Sequence, residues 1–242
     1  MTSSNLTLHC GAFKATRDDL TSVITPRATS TWTPIPHTEI VDAVLESATN
    51  AGLTIKRELY GLYGKKDRAG YGARMFGVID FLDGTSDYGY SVGFRNSHDK
   101  SMVAGICAGA RVFVCDNLAL AGDFAEKRRH TPGNNFIRLV QEAFTLLPGQ
   151  LENLSKNLDR LKTEGISEQD AQRIIWRAAT EGAIASSEML PIWEEYKTPT
   201  FKEFTEPTKF NLLMSFTEKL KRQNSAVKVE QTYRRLADLF DL

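Results

Sequence analysis

Residues 53–115 carry four strand-like runs in succession, joined by short turns, and few folds accommodate that order. The clearest run is Tyr88 to Phe94. There Tyr88, Tyr90, Val92 and Phe94 fall on one side of an extended chain, and Gly89, Ser91, Gly93 and Arg95 on the other, because successive strand side chains point to opposite faces. Leu53 to Tyr63 and Arg74 to Asp83 precede it, and Met102 to Cys115 follows, with the glycines between Gly105 and Gly109 suggesting a bulge. Turn-rich Gly64 to Gly72 and the run Asp83-Gly84-Thr85-Ser86-Asp87 read as hairpin connections. Consecutive strands with short turns predict an antiparallel meander.

The chain on either side is of different character. Residues 1–36 are rich in Thr, Ser and Pro without sustained periodicity, and read as an arm laid over the domain with Trp32 as its anchor; Thr7 to Cys10 is a candidate edge strand. Thr38 to Asn50 is a helix, with Ile40, Val41, Val44, Leu45 and Ala48 forming one apolar stripe. After Leu118 the pattern turns helical: Phe136, Val140, Ala143, Phe144 and Leu147 share a face, Pro148-Gly149 is expected to break or kink that helix, and Leu151, Leu154, Leu158 and Leu161 suggest the second arm of a helical hairpin. Ser167 and Asp170 have capping-box spacing ahead of Ala171, Ile174, Ile175 and Ala178. Residues 198–208 read as a linker, and Asn211 to Lys221 and Val229 to Phe240 as amphipathic helices. The expected fold is α+β: an antiparallel sheet of about four strands with a packed helix, then a C-terminal helical subdomain. The expected divisions are an arm over 1–36, a sheet core over 37–130 and the helical part over 131–242.

Composition excludes several classes. Lys plus Arg and Asp plus Glu are both 30, so any affinity for polyanions must come from a local patch. Cys10, Cys107 and Cys115 are odd in number and lack CxxC spacing, which argues against a zinc ribbon or a secreted disulfide framework. The sequence shows neither a signal-peptide pattern nor a membrane-length apolar run, so a cytoplasmic location and no membrane partner are expected. Phosphate-loop signatures are absent as well, and no cofactor is expected.

The polar knot between the third and fourth strands is the densest cluster of reactive side chains. In an enzymatic reading, Asn96, His98 and Asp99 act with Cys115 and Asn117, His98 serving as general base. In a structural reading, Asn96-Ser97-His98-Asp99 is a turn whose short polar side chains bond their own backbone, and Cys115 packs in the sheet. His98, Cys107 and Cys115 match no standard zinc spacing, so no metal is expected. Basic residues form the other candidate: Lys65, Lys66, Arg68 and Arg74 by the first hairpin, and Arg95, Lys100, Arg111, Lys127, Arg128 and Arg129 on or after the later strands. If these share one rim they make a positive groove, with Tyr60, Tyr63, Tyr71 and Phe94 near for base stacking; otherwise they solvate a neutral surface.

Three segments carry a family resemblance. Pro34-Ile35-Pro36-His37-Thr38-Glu39, Arg95-Asn96-Ser97-His98-Asp99 and Arg111-Val112-Phe113-Val114-Cys115-Asp116-Asn117 resemble, in order and spacing, the hallmark segments of the phage- and plasmid-associated domain-of-unknown-function family nine-three-two. Asn211 to Glu218 resembles that family's later N-x-x-x-x-x-T-E run, so the likeness covers roughly residues 30 to 220. The family has no established activity. Its occurrence in mobile elements of bacterial hosts implies DNA metabolism or conflict with host defence. It favours a nucleic-acid-binding protein, acting on single-stranded DNA in replication or recombination and forming a homo-oligomer, over an enzyme or a factor that binds a host protein.

Overall fold

The computed structural model of this protein describes residues 12–64, 70–84, 88–112, 117–133, 135–220 and 226–242. It is α+β, and its centre is one antiparallel sheet of six strands lying side by side in chain order. These are β1 (Ala12–Ala15), β2 (Ile55–Tyr63), β3 (Arg74–Gly84), β4 (Tyr88–Ser97), β5 (Ala104–Val112) and β6 (Asn117–Arg128). The four expected strands are β2 to β5, and two more extend the sheet at its edges. The candidate edge strand at Thr7 to Cys10 lies outside the described residues, while β1 begins just after it. β6 corrects the reading of helix after Leu118: Asn117 to Arg128 pairs with β5, with a register irregularity between Cys107 and Gly109.

The alternation in β4 is the organising pattern. Tyr60, Gly77, Phe94 and Ile106 stand opposite one another across four strands, as do Leu62, Met75, Asn96 and Ala104 one turn of the pleat away. Apart from Asn96 that face is apolar, and it packs against α2 (His37–Asn50) and the first half of α3 (Phe136–Thr163). Gly77 is required here because a Cβ on it would run into the Phe94 ring. The opposite face carries Gly61, Gly93 and Gly105, and also the buried Asp80, paired with half-buried Arg57 (2.6 Å) and accepting from the Ser91 hydroxyl at 2.7 Å.

α3 runs unbroken through Pro148, so the expected helical hairpin is one 28-residue helix. An interior proline costs about 3 kcal/mol. Leu147 and Leu151 are fully buried on either side of it, and Leu154, Leu158 and Leu161 continue the same row. Each such side chain stabilises by roughly 1.5–3 kcal/mol, so the buried row outweighs the lost hydrogen bond. The row joins two cores. Phe136 to Leu151 belong to the sheet core; Leu154 to Leu161 belong to a second core built with Ile175, Ile192, Leu212, Phe216 and Phe240. These come from α4 (Glu168–Thr180), α5 (Met189–Lys197), α6 (Lys209–Leu220) and α7 (Ala226–Phe240). α3 lies across β5 and β6, and α7 also packs on β6. Ser167 caps α4, accepting from the Asp170 amide at 3.1 Å.

The region read as an arm holds one short helix, α1 (Arg17–Thr21), started by a Thr16–Asp19 capping box. Residues 22–36 contain neither helix nor strand, and lead to Pro36 at the start of α2.

Candidate functional site

The antiparallel register decides which candidate residues meet. Arg74 pairs with Ser97, Arg95 with Gly105, Gly105 with Lys127 and Ala104 with Arg128. The exit of β2, the entry of β3, the exit of β4, the entry of β5 and the end of β6 therefore share one end of the sheet. Arg111 pairs with Gly89, and Asn117 faces Val112, which in turn faces Tyr88. Those residues stand at the other end, roughly 26 Å from Asn96 along β4 at about 3.3 Å per residue. The proposed grouping of Asn96, His98 and Asp99 with Asn117 is thus not assembled. Cys115 lies outside the described residues.

At the near end, a polar cluster forms that the sequence reading grouped only in part. Three of the chain's four histidines meet here: His37 and His130 bond Asn96, and His98 stacks on His37. Asn96 is fully buried, and its side-chain amide donates to the Ile35 carbonyl (2.7 Å) and to His37 Nδ1 (2.9 Å). Its oxygen accepts from His130 Nε2 at 2.6 Å. His37 Nε2 donates to the Gly72 carbonyl at 2.7 Å, and His98 Nε2 to the Ile35 carbonyl at 2.9 Å. The His37 and His98 rings stack in parallel, centroids 3.9 Å apart. Backbone carbonyls can only accept, so each ring must carry its proton on Nε2, and the tautomers follow from the partners.

Burial sets the electrostatics. His37 is pushed down to about 3, first by burial, then by the charge His98 would carry, against the pull of the Gly72 carbonyl. Burial also lowers His98, opposed by the Ile35 carbonyl and Asp99, and it lowers His130, helped by His98. All three rings are therefore neutral at neutral pH. Among the described residues no group of three or more His, Cys, Asp or Glu is arranged to hold a metal ion.

The cluster ties the N-terminal segment to the sheet. Ile35 is gripped twice through its carbonyl, the Thr33 amide donates to the His130 carbonyl at 2.9 Å, and the Trp32 ring leans on His130. Asn96 and His98 thus act on another segment of the chain, whereas Ser97 and Asp99 do the turn's local work. Ser97 Oγ donates to the Met102 carbonyl (2.7 Å), and Asp99 accepts from the Ser101 amide (3.0 Å) and from Arg74 (2.8 Å). Burial works against the Asp99 carboxylate, but Ser101 and Arg74 hold it below its ordinary value. Lys100 takes a left-handed backbone (φ 62°) at the hairpin tip, with its ammonium 4.9 Å above the Trp32 ring.

The basic residues divide. Arg95 is buried on the opposite sheet face, and Arg74 is engaged by Asp99 and lies 4.7 Å above the Tyr63 ring. Arg129 is exposed just past β6, while Lys127 and Arg128 are placed at this end by backbone register. Lys65, Lys66 and Arg68 fall between Tyr63 and Arg74 in sequence and lie outside the described residues. Tyr63 and Phe13, in paired strands at this end, are both exposed. His37, Trp32 and the Ile35 carbonyl were not picked out as site groups in the sequence; the rarity of histidine, with one at the Pro36–His37 helix start, was the available signal.

Elsewhere, a groove of about 860 Å³ lies between α4 and α5, lined by Trp176, Met189, Leu190 and Trp193. Among the described residues no helix is long and apolar enough to cross a membrane.

A protein-family model described as "Domain of unknown function (DUF932)" matches residues 27–240. No curated protein and no solved structure matches the chain.

Proposed function

The chain belongs to the DUF932 family, whose description gives no activity, and from the make-up of one sheet end we propose that it is a nucleic-acid-binding protein that takes single strands there. The observation that carries this reading is the register: one end of a neutral protein collects Arg74, Lys100, Lys127, Arg128 and Arg129, and the chain segment joining β2 to β3 adds Lys65, Lys66 and Arg68 in sequence. Exposed Tyr63 lies beside them, with Arg74 over one face of its ring and the other face left to an unpaired base, and exposed Phe13 stands on the opposite sheet face of the same end. Arg95 and Arg111 drop out of the interface, the first by burial and the second by its place at the far end. Action in replication or recombination of a phage or plasmid within a bacterial cytoplasm, and assembly of several copies along a strand, extend the same reading.

The test is anisotropy of a labelled single-stranded oligonucleotide as salt is raised. Binding should be tight at low salt and weaken linearly in log–log form, because each neutralised phosphate releases counterions. Arg129→Ala and Lys100→Ala should each reduce the slope by about one. Arg173→Ala, on the exposed face of α4, should leave it unchanged. No detectable binding at low salt would sink the proposal.

A further inference from the structure

We propose that the cluster of His37, Asn96, His98 and His130 is an acid-released latch, which holds the segment from Trp32 to Pro36 on the sheet end while its rings are neutral and frees it when they take up protons. This stands apart from the nucleic-acid reading. It rests on a hydrogen-bond network that has no place for a further proton on His37. Asn96 donates to both the Ile35 carbonyl and His37 Nδ1, and its oxygen is held by His130. A proton on His37 Nδ1 would point at the Asn96 amide hydrogens, donor against donor. Flipping the amide to receive it would turn the Asn96 oxygen toward the Ile35 carbonyl and its nitrogen toward the His130 donor. One proton therefore breaks the His37 contact in place, or the Ile35 and His130 contacts if the amide flips.

A second proton meets the first at contact range, because the His37 and His98 rings are parallel and 3.9 Å apart. Of the charged groups around the cluster, Asp99 on the β4–β5 hairpin favours a proton on His98 but is shared with Arg74 of β3 and the Ser101 amide, and burial outweighs it. Glu39 on the first turn of α2 is exposed, and Lys100 and Arg129 are themselves positive. The segment held here has no helix or strand of its own; besides the buried Pro34, the Ile35 side chain on the sheet core and the Trp32 contacts, it is attached at this end by the two bonds to the Ile35 carbonyl and the Thr33 amide bond. Those three bonds end on the latch residues.

The direction follows from linkage. The released rings titrate near the ordinary histidine value of about 6.5, whereas the closed rings resist protonation. The closed state is thus fully favoured above that pH and is lost progressively as pH falls below it. Up to three protons enter on opening, so the opening constant should climb by more than tenfold per pH unit.

Hydrogen exchange at the Thr33 amide, corrected for its intrinsic rate, reads the latch directly, with amides of β3 and β4 as the internal control. In the full-length protein, Thr33 protection should fall by more than tenfold per pH unit below about 6.5, while the β3 and β4 amides stay protected. His98→Phe keeps a flat ring against His37 but cannot titrate, so the pH slope should drop by about one proton. His130→Gln, whose amide can still donate to Asn96, should do the same if His98→Phe does not fold. A role in packing alone would shift the midpoint and leave the slope. Thr33 protection that changes less than tenfold over the whole range, loss of β3 and β4 protection in step with Thr33, or an unchanged slope in the variants would each overturn the latch.

Discussion

Replacing Asn96 with Asp should reverse the pH dependence of this protein's stability. The substitution changes almost no volume, but swaps the amide nitrogen for an acceptor at a site with no solvent exposure. The Ile35 carbonyl keeps its bond from His98 Nε2, so the newly orphaned acceptor is His37 Nδ1. Leaving one buried acceptor unmade costs about 1–3 kcal/mol. The new carboxylate retains only the donor of His130, and an underpaired buried charge adds a few kcal/mol more. The expected loss near pH 8 is about 3–5 kcal/mol, or a fall of roughly 10 °C in Tm for a chain of this size. Protonation then works in the opposite sense from the native cluster. His37 Nδ1–H can donate to the carboxylate, and a charge-assisted bond of about 1.5–3 kcal/mol returns part of the loss. In the native protein the folded His37 lies at about 3, below its unfolded value, so its contribution is complete above about 6.5 and declines as pH falls. In the Asn96→Asp variant the folded value is raised, so stability is regained as pH falls. Urea unfolding of both proteins near pH 8 and near pH 5.5 measures the gap. A gap that does not narrow at the lower pH, or one below about 1 kcal/mol at the higher, would refute the hydrogen-bond assignment.

Two further outcomes test the scaffold. Gly77→Ala drives a Cβ into the Phe94 ring and should cost about 1–3 kcal/mol by overpacking; Phe94→Leu in the same chain should recover part of it, and additive losses in the double-mutant cycle would show that the ring is not the obstacle. Glu195 is buried at the end of α5, where it accepts from Lys219 at 2.8 Å and from the Thr200 amide at 2.7 Å. Burial opposes the Glu195 carboxylate, but Lys219 and Thr200 hold its pKa below the ordinary value. Its stabilisation is present above the unfolded carboxyl value of about 4.3 and lost as pH falls through the folded one. Lys219→Met should therefore cost about 2–4 kcal/mol at neutral pH, with the difference shrinking in acid, and a neutral effect near pH 7 would contradict it.

The elements legible in sequence are those whose pattern is local. The alternation of Tyr88, Tyr90, Val92 and Phe94 required a strand with one apolar face, and the Ile40, Val41 and Val44 stripe required a helix; both stand where expected. Pro148 misled because a proline's cost is local, whereas the burial of Leu147 and Leu151 that outweighs it is tertiary. β6 was missed because the weak alternation of Leu118, Ala119 and Leu120 is given meaning by the strand beside it. Asn96-Ser97-His98-Asp99 was readable as a turn through the bonds of Ser97 to Met102 and of Asp99 to Ser101, which lie within a few residues.

Sequence by itself determined that the chain makes an antiparallel meander followed by helices, because side-chain period and turn chemistry are properties of neighbouring residues. It did not determine which polar residues work together. His37, His98 and His130 lie in a helix start, a hairpin and a strand exit, and nothing in their spacing relates them. Strand register and helix docking bring His37 and His130 onto Asn96 and His98 against His37, and the register places Arg111 and Asn117 at the far end of the sheet. Long-range pairing decides such meetings, since a one-residue slip would turn every side chain to the other face.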